Sequence, residues 1–330
     1  MSETAVSLNR RDEGGRHVAL QRAQASEQRF AYLLTLPVAI VLVAVVIFPV
    51  LYSLYMSFFS INELTQTNRF IGLGNYVDAV GAGETWLGVL RTFIYVFYLT
   101  IFSGVIALLG ALVLNEKFRG RGVATALVIL PWAVSLYAAA VIWRYMYSQQ
   151  FGMFNALLGA FGLKSDVDFL TPTTVLPLIA LAHAWEYSPL GIYFVLATLQ
   201  FIPQDLYNLA RTDRLNLWGR FRHVTLPYLK VPMLIFLILV TAEGSKAFEI
   251  AYFISGGGPG TSSFTLVFLL YRETFVNLNL SYGAALSWVL LLLVMICTLG
   301  YFWALLRSQR NEAAEDIPHG VIAQDVWVSE

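Results

Sequence analysis

Charge is scarce in this 330-residue chain: Asp, Glu, Lys and Arg make up 13% of it, about half the share in an average soluble domain. Basic and acidic residues balance at 21 each, so net charge selects no partner and only the placement of the basic residues is informative. Cysteine occurs once, as Cys297 in an apolar run, which excludes an intrachain disulfide and a cysteine-built metal site. Histidine is nearly as rare. His183 and Glu186 lie one helical turn apart, but His17, His223 and His319 fall in segments read as cytoplasmic, so no set of three or four metal ligands is expected. The phosphate-binding pattern G-x-x-x-x-G-K-[ST] is absent. The one glycine cluster, Gly256, Gly257, Gly258, Pro259 and Gly260, carries no lysine and reads as a turn. The chain is therefore read as non-enzymatic, with no cofactor of its own.

Apolar residues are abundant, at 58% with 15% aromatic and a mean hydropathy of +0.65. A membrane-spanning helix needs about 20 apolar residues, and six runs qualify: Phe30 to Phe59, Leu90 to Leu114, Val123 to Tyr147, Thr174 to Leu199, Leu226 to Ile254 and Gly283 to Leu306. The first is too long for a signal-peptide core and has no small-residue cleavage site after it, so it is expected to remain as an anchor. Leu73 to Gly88 is amphipathic and reads as a surface segment. Basic residues concentrate in the polar segment 1–29, at Lys117, Arg119 and Arg121, between Arg211 and Lys230, and at Arg307 and Arg310. The positive-inside rule places these segments in the cytoplasm. The expected organisation is an all-α polytopic membrane protein: a flexible cytoplasmic tail at 1–29, a six-helix domain at 30–307 and a second cytoplasmic tail at 308–330. Pro189, Leu190 and Gly191 are expected to open the fourth helix near mid-membrane.

Two groups of residues could carry function. The first is the polar interruption 204–222, where Leu206, Leu209, Leu215, Leu217, Trp218 and Phe221 recur at roughly helical spacing among Arg211, Arg214, Arg220 and Arg222. It reads either as an amphipathic helix at the membrane surface or as a basic loop that only fixes topology. The second consists of ionisable residues within the apolar runs, which are expensive there unless paired or functional. Lys246 can pair with Glu243 or Glu249, each three residues away. Glu186 has no such neighbour and sits beside Trp185 and Tyr187. Those rings, with Tyr193, could stack on sugar C–H faces while Glu186 takes hydroxyl hydrogen bonds; plain packing of the aromatics is the competing reading.

The 204–222 segment also resembles the cytoplasmic coupling loop of binding-protein-dependent ABC importer permeases, whose signature is E-A-A-x-x-x-G. Asn208, Leu209 and Ala210 match its start, with Asn208 in place of the glutamate. Asp213 and Arg214 follow, with Arg214 in place of the glycine, and Trp218 and Phe221 lie beyond. An arginine there is expected to resist the left-handed turn, so that the chain continues as helix or turns nearer Gly219. IGLGNYVDAV at 71–80, LPWAVSLYAAAVIWRYMY at 130–147, FGMFNALLGAFGL at 151–163, KAFEIAYFISGGGPG at 246–260 and YGAALSWVLLLL at 282–293 are similar to successive segments of carbohydrate-uptake permeases.

This resemblance implies a type I permease fold with a coupling helix between the fourth and fifth spans, in a bacterial or archaeal inner membrane with both termini cytoplasmic. It also implies a second homologous permease subunit, two cytoplasmic ATPases holding ATP-Mg and an external solute-binding protein. Asn208, Leu209, Ala210, Asp213, Arg214, Trp218 and Phe221 would then face the ATPase. Trp185, Glu186, Tyr187, Tyr193, Glu243 and Lys246 would line the path of a sugar. A polyamine or phosphate ester is the alternative cargo, and an ion-coupled transporter is the competing mechanism.

Overall fold

The computed structural model describes residues 32–62 and 67–315. The expected tail at 1–29 and the end of the second tail, from residue 316, lie outside them. Helix α1, Tyr32–Ser57, contains a wide π-turn at Val43–Ile47 and leads into a two-stranded antiparallel ribbon, β1 (Phe59–Asn62) with β2 (Thr67–Phe70). This ribbon, with Phe59 paired to Phe70, is the one departure from an all-helical chain among the described residues. A short helix α2 (Gly74–Gly81) precedes α3 (Gly83–Asn115), so 83–88 belong to a spanning helix and not to a surface segment.

The third apolar run is not one rod. It forms α4 (Arg121–Ala133) and α5 (Leu136–Met146), which meet at 96°. Val134 is extended there, and the Ser135 hydroxyl caps α5 by accepting from the Ala138 N–H, which gives the chain a fresh helix start just beyond Pro131.

After a short helix α6 (Met153–Ala160) comes α7 (Val175–Phe201), unbroken through Pro189. The expected opening of the fourth span does not occur. Pro189 removes one hydrogen bond, but the helix continues through it. Gly191 fits so closely that a Cβ there would overlap the Phe236 ring and lie 2.7 Å from the Ala107 Cβ. Gly191 is therefore a contact point between helices, not a breaker. At ~1.5 Å per residue, 27 residues make α7 about 40 Å long, enough to cross a hydrocarbon layer of ~30 Å. Its mean hydropathy is lowered by the polar residues at its centre. Four helices are both long and apolar enough to span: α1, α3, α9 (Leu217–Ser245) and the segment Leu280–Trp303 of the last helix. The bent pair α4–α5 makes a fifth. Five of the six expected spans are therefore matched by length and composition, and α7, the fourth expected span, is matched by length.

Between α7 and α9 lies α8 (Gln204–Thr212). The fifth run also breaks: α9 ends at Ser245 and α10 (Glu249–Ser255) resumes after a turn at Lys246. Within α9 a π-turn at Phe221–Thr225, where the Leu226 N–H donates to the Phe221 carbonyl, precedes Pro227 and Pro232, neither of which has an N–H to donate. A helical segment α11 (Leu266–Tyr271), extended by a π-turn to Val276, lies between α10 and α12 (Leu280–Glu315).

The principal core joins α3, α5, α7, α9 and α10, with α3 against α7 as its largest interface. Tyr95, Leu99, Ile179, Phe236 and Ile250 are sealed within it. A smaller core unites Ala79, Leu266, Leu269, Leu286 and Leu290, fixing α2 and α11 against α12. Arg272 ties this part to α3 by an ion pair with Glu84, and it also pairs at 3.2 Å with its neighbour Glu273.

Candidate functional site

The α8 segment begins at Pro203, carries Asp205 in its first turn and ends with Arg211 in its last, each charge opposing the local end of the helix dipole. It does not run on to residue 222. Arg214 adopts φ +57°, its N–H donates to the Arg211 carbonyl at 3.0 Å and the Leu215 N–H donates to the Ala210 carbonyl at 2.9 Å. These two bonds around a left-handed residue form a Schellman stop, so arginine makes the turn usually made by glycine. The expectation that Arg214 would refuse it, and that the turn would fall nearer Gly219, is overturned. Two satisfied carbonyls outweigh a left-handed penalty of ~1–2 kcal/mol, and Gly219 lies inside α9, donating its N–H to the Asn216 cap at 2.7 Å. Arg214→Gly should relieve most of that penalty and stabilise the purified protein by about 1 kcal/mol. A thermal melt no higher than wild type would contradict this.

Ala210 is buried and anchors α8 to the bundle, as does the Tyr207 hydroxyl, 3.0 Å from the Thr225 hydroxyl. Asn208, Asp213 and Arg214 are exposed. Leu209 and Trp218 are 61% and 66% exposed, respectively, although they sit on a polar turn where such groups would ordinarily be covered. Trp218 stacks on Phe221, centroids 5.6 Å apart. Their rings wall a hollow of about 760 Å³ whose opposite side is Leu108, Leu112 and Glu116 at the end of α3. Leu217, 79% exposed, belongs to the same apolar surface. Its helical spacing was visible in the sequence, but its exposure was not.

In the middle of α7 the sequence candidates separate. Glu186 is 8% exposed and makes no hydrogen bond or ion pair among the described residues. Glu243 approaches it closely enough for the two charges to interact. Glu243 is itself paired with Lys246 at 3.0 Å, both partly exposed. Trp185 meets Trp143 edge to face at 5.9 Å, and Tyr187 stacks on Phe236 at 6.3 Å. Trp185 is thus directed to α5 and Tyr187 to α9, with Glu186 on the same turn of α7 between them. Tyr193 does not join them. It lies two turns along α7, and its hydroxyl donates to the Thr125 carbonyl at 2.6 Å, pinning α4. His183 is committed elsewhere too, with its Nδ1 2.6 Å from the buried Tyr95 hydroxyl.

Sequence reasoning missed Trp143, Tyr95 and Phe236 as the site's supports. Phe236 carried no signal, being one aromatic residue in a uniformly apolar run. The assembled groups can bind a polar solute through a carboxylate and aromatic faces, and the Glu243–Lys246 pair offers both charge signs at the margin.

Residues 103–311 match the family of binding-protein-dependent transport system inner membrane components. The trehalose/maltose transport system permease protein MalF of Thermococcus litoralis is 34% identical over 83% of this chain and 93% of its own length. The sulfoquinovosyl glycerol transport system permease protein SmoG of Agrobacterium fabrum is 34% identical over 83% and 90%. A chain in the crystal structure of a bacterial ABC transporter that imports the acidic polysaccharide alginate has the same fold, with a TM-score of 0.74, 19% identity and coverage of 86% of this chain and 96% of that one. A second alginate transporter structure, in complex with an alginate pentasaccharide-bound periplasmic protein, gives 0.72 at 20% identity, covering 84% and 93%. The exposed turn after α7, the buried carboxylate within it and these matches agree: this chain belongs to the binding-protein-dependent transport system inner membrane components, the permeases of ABC importers.

Proposed function

We propose that this chain forms one half of an alternating-access path for a sugar, and that Glu186 contacts the solute. The observation that carries the reading is a buried carboxylate with no partner among the described residues, beside Trp185 and Tyr187 in sequence on a helix closed on two sides by α3 and α9. An unpaired buried charge is costly, and a path that admits water and a polyhydroxylated solute relieves that cost.

The second half of the path belongs to a homologous permease. Two cytoplasmic ATPases binding ATP-Mg drive the motion through Leu209, Trp218 and Phe221, and an external binding protein delivers the solute. Both termini and α8 face the cytoplasm, because the basic residues cluster on that side. The name of the relative that carries trehalose or maltose supports a sugar cargo. A phosphate ester, the cargo named for a more distant relative, would meet repulsion from Glu186 and Glu243.

Glu186→Gln keeps the shape and removes the charge. In proteoliposomes holding the assembled transporter, sugar uptake should fall at least about tenfold, the loss of one charge-assisted hydrogen bond, while the variant assembles normally with its ATPases. Unchanged uptake kinetics would make Glu186 a structural residue and remove the support for this path.

A further inference from the structure

At the end of the bundle opposite α8, a second hollow of about 790 Å³ lies between α5, α10 and the segments 148–149 and 168–170. Its position follows from α7, which starts at Val175 beside residue 170 and ends at Phe201 beside α8. The walls carry two kinds of group. Tyr137 and Phe253 meet edge to face at 4.4 Å, and Tyr145 adds a third ring.

Arg144 and Asp168 supply charge. Arg144 spends one of its five donors on a long bond, 3.4 Å, to the Phe253 carbonyl. Asp168 accepts from the Leu170 N–H at 3.1 Å through one oxygen, and its other oxygen makes no hydrogen bond among the described residues. The two opposite charges line one hollow without an ion pair between them. Each is tethered to backbone on a different element, so each keeps hydrogen-bonding capacity for a third body.

We propose that this hollow is an outer subsite for a neutral saccharide, occupied before the solute reaches Glu186. The inference rests on the sugar-import reading above and extends it to a second place and a narrower substrate class. The volume falls within the ~300–1,000 Å³ of small-molecule sites. Aromatic rings can take the C–H face of a sugar while Arg144 and Asp168 bind its hydroxyls. One cation and one anion leave no net field to favour a phosphate ester or a polyamine. The hollow is also joined mechanically to the inner site: Trp143, next to Arg144 on α5, touches Trp185, next to Glu186 on α7.

The test uses the assembled transporter in lipid nanodiscs without its binding protein. Saturation-transfer NMR is recorded with trehalose, maltose and glycerol 3-phosphate at equal concentration. Wild type should transfer saturation to at least one disaccharide and not to glycerol 3-phosphate. Arg144→Met combined with Asp168→Asn should weaken the disaccharide signal about tenfold, the scale of hydrogen bonds to charged groups. Both residues are exposed, so the fold should survive the change. A signal from neither disaccharide, or one the double variant leaves intact, overturns the proposal. So does a double variant that keeps the sugar signal but loses binding-protein docking, since the hollow would then be a seat for protein. If Glu186→Gln abolishes uptake while no disaccharide signal is seen, the outer subsite fails alone. If the signal behaves as expected and Glu186→Gln transports normally, only the inner reading fails.

Discussion

Gly191→Leu should prevent the purified transporter from assembling, and Gly191→Ala alone should lower its melting temperature clearly. Alanine is the better helix former by about 1 kcal/mol, an effect that pushes toward stability. Against it stands the overlap of any Cβ with the Phe236 ring and the close approach to Ala107, both wholly buried. Neither neighbour has space to yield, so overpacking of ~1–3 kcal/mol should win for alanine, and the cost should rise steeply for leucine. Thermal unfolding of the two variants in detergent, followed by tryptophan fluorescence, measures this directly. A Gly191→Ala protein that melts at or above the wild-type temperature would mean that α7 does not press against α3 and α9 at this point.

The second large effect is expected at the cytoplasmic turn. Leu209→Ala with Trp218→Ala should cut the ATPase stimulation produced by loaded binding protein roughly 10- to 100-fold. A loss of that size corresponds to ~1 kcal/mol for each of the two apolar anchors, a modest share for buried interface side chains. Both side chains are largely solvent-exposed in the isolated chain, so their truncation should leave the melting temperature nearly unchanged. Asn208→Glu should act in the opposite direction by adding a charge-assisted contact beside them. Stimulation that survives the double truncation would show that force reaches the path by another route.

The long apolar helices α3 and α12 were legible in the sequence, because twenty or more uninterrupted apolar residues have few other outcomes. The position of the polar turn was legible too, marked by Pro203 and the clustered arginines. The pairing of Lys246 with Glu243 followed from their three-residue spacing. What failed to show were outcomes decided by distant partners. Pro189 and Gly191 read locally as a break, whereas the helix survives because Ala107 and Phe236, far away in sequence, close around it. Arg214 read as hostile to a left-handed turn, but the two backbone bonds that fix it form only once α8 has ended. Tyr193 looked like one more ring near Glu186 until Thr125 claimed its hydroxyl. In the third run the location of the proline was visible, but a 96° bend is a property of how α4 and α5 pack.

Helix α1 stands apart from this pattern of mutual constraint. None of its most apolar stretch is buried among the described residues, and its main neighbour there, α12, touches it toward the Phe48–Ser57 end. At ~1.5 Å per residue its 26 residues extend about 39 Å, well beyond a hydrocarbon thickness of ~30 Å. Such a rod meets the mismatch by leaning, at a cost of fractions of a kcal/mol per Å. Held by α12 at one end only among the described residues, α1 should convert the thickness of the surrounding bilayer into an angle at α12. A thinner membrane should lay it flatter and a thicker one bring it upright, so the lipid composition of the host bilayer is felt by this chain through its first helix.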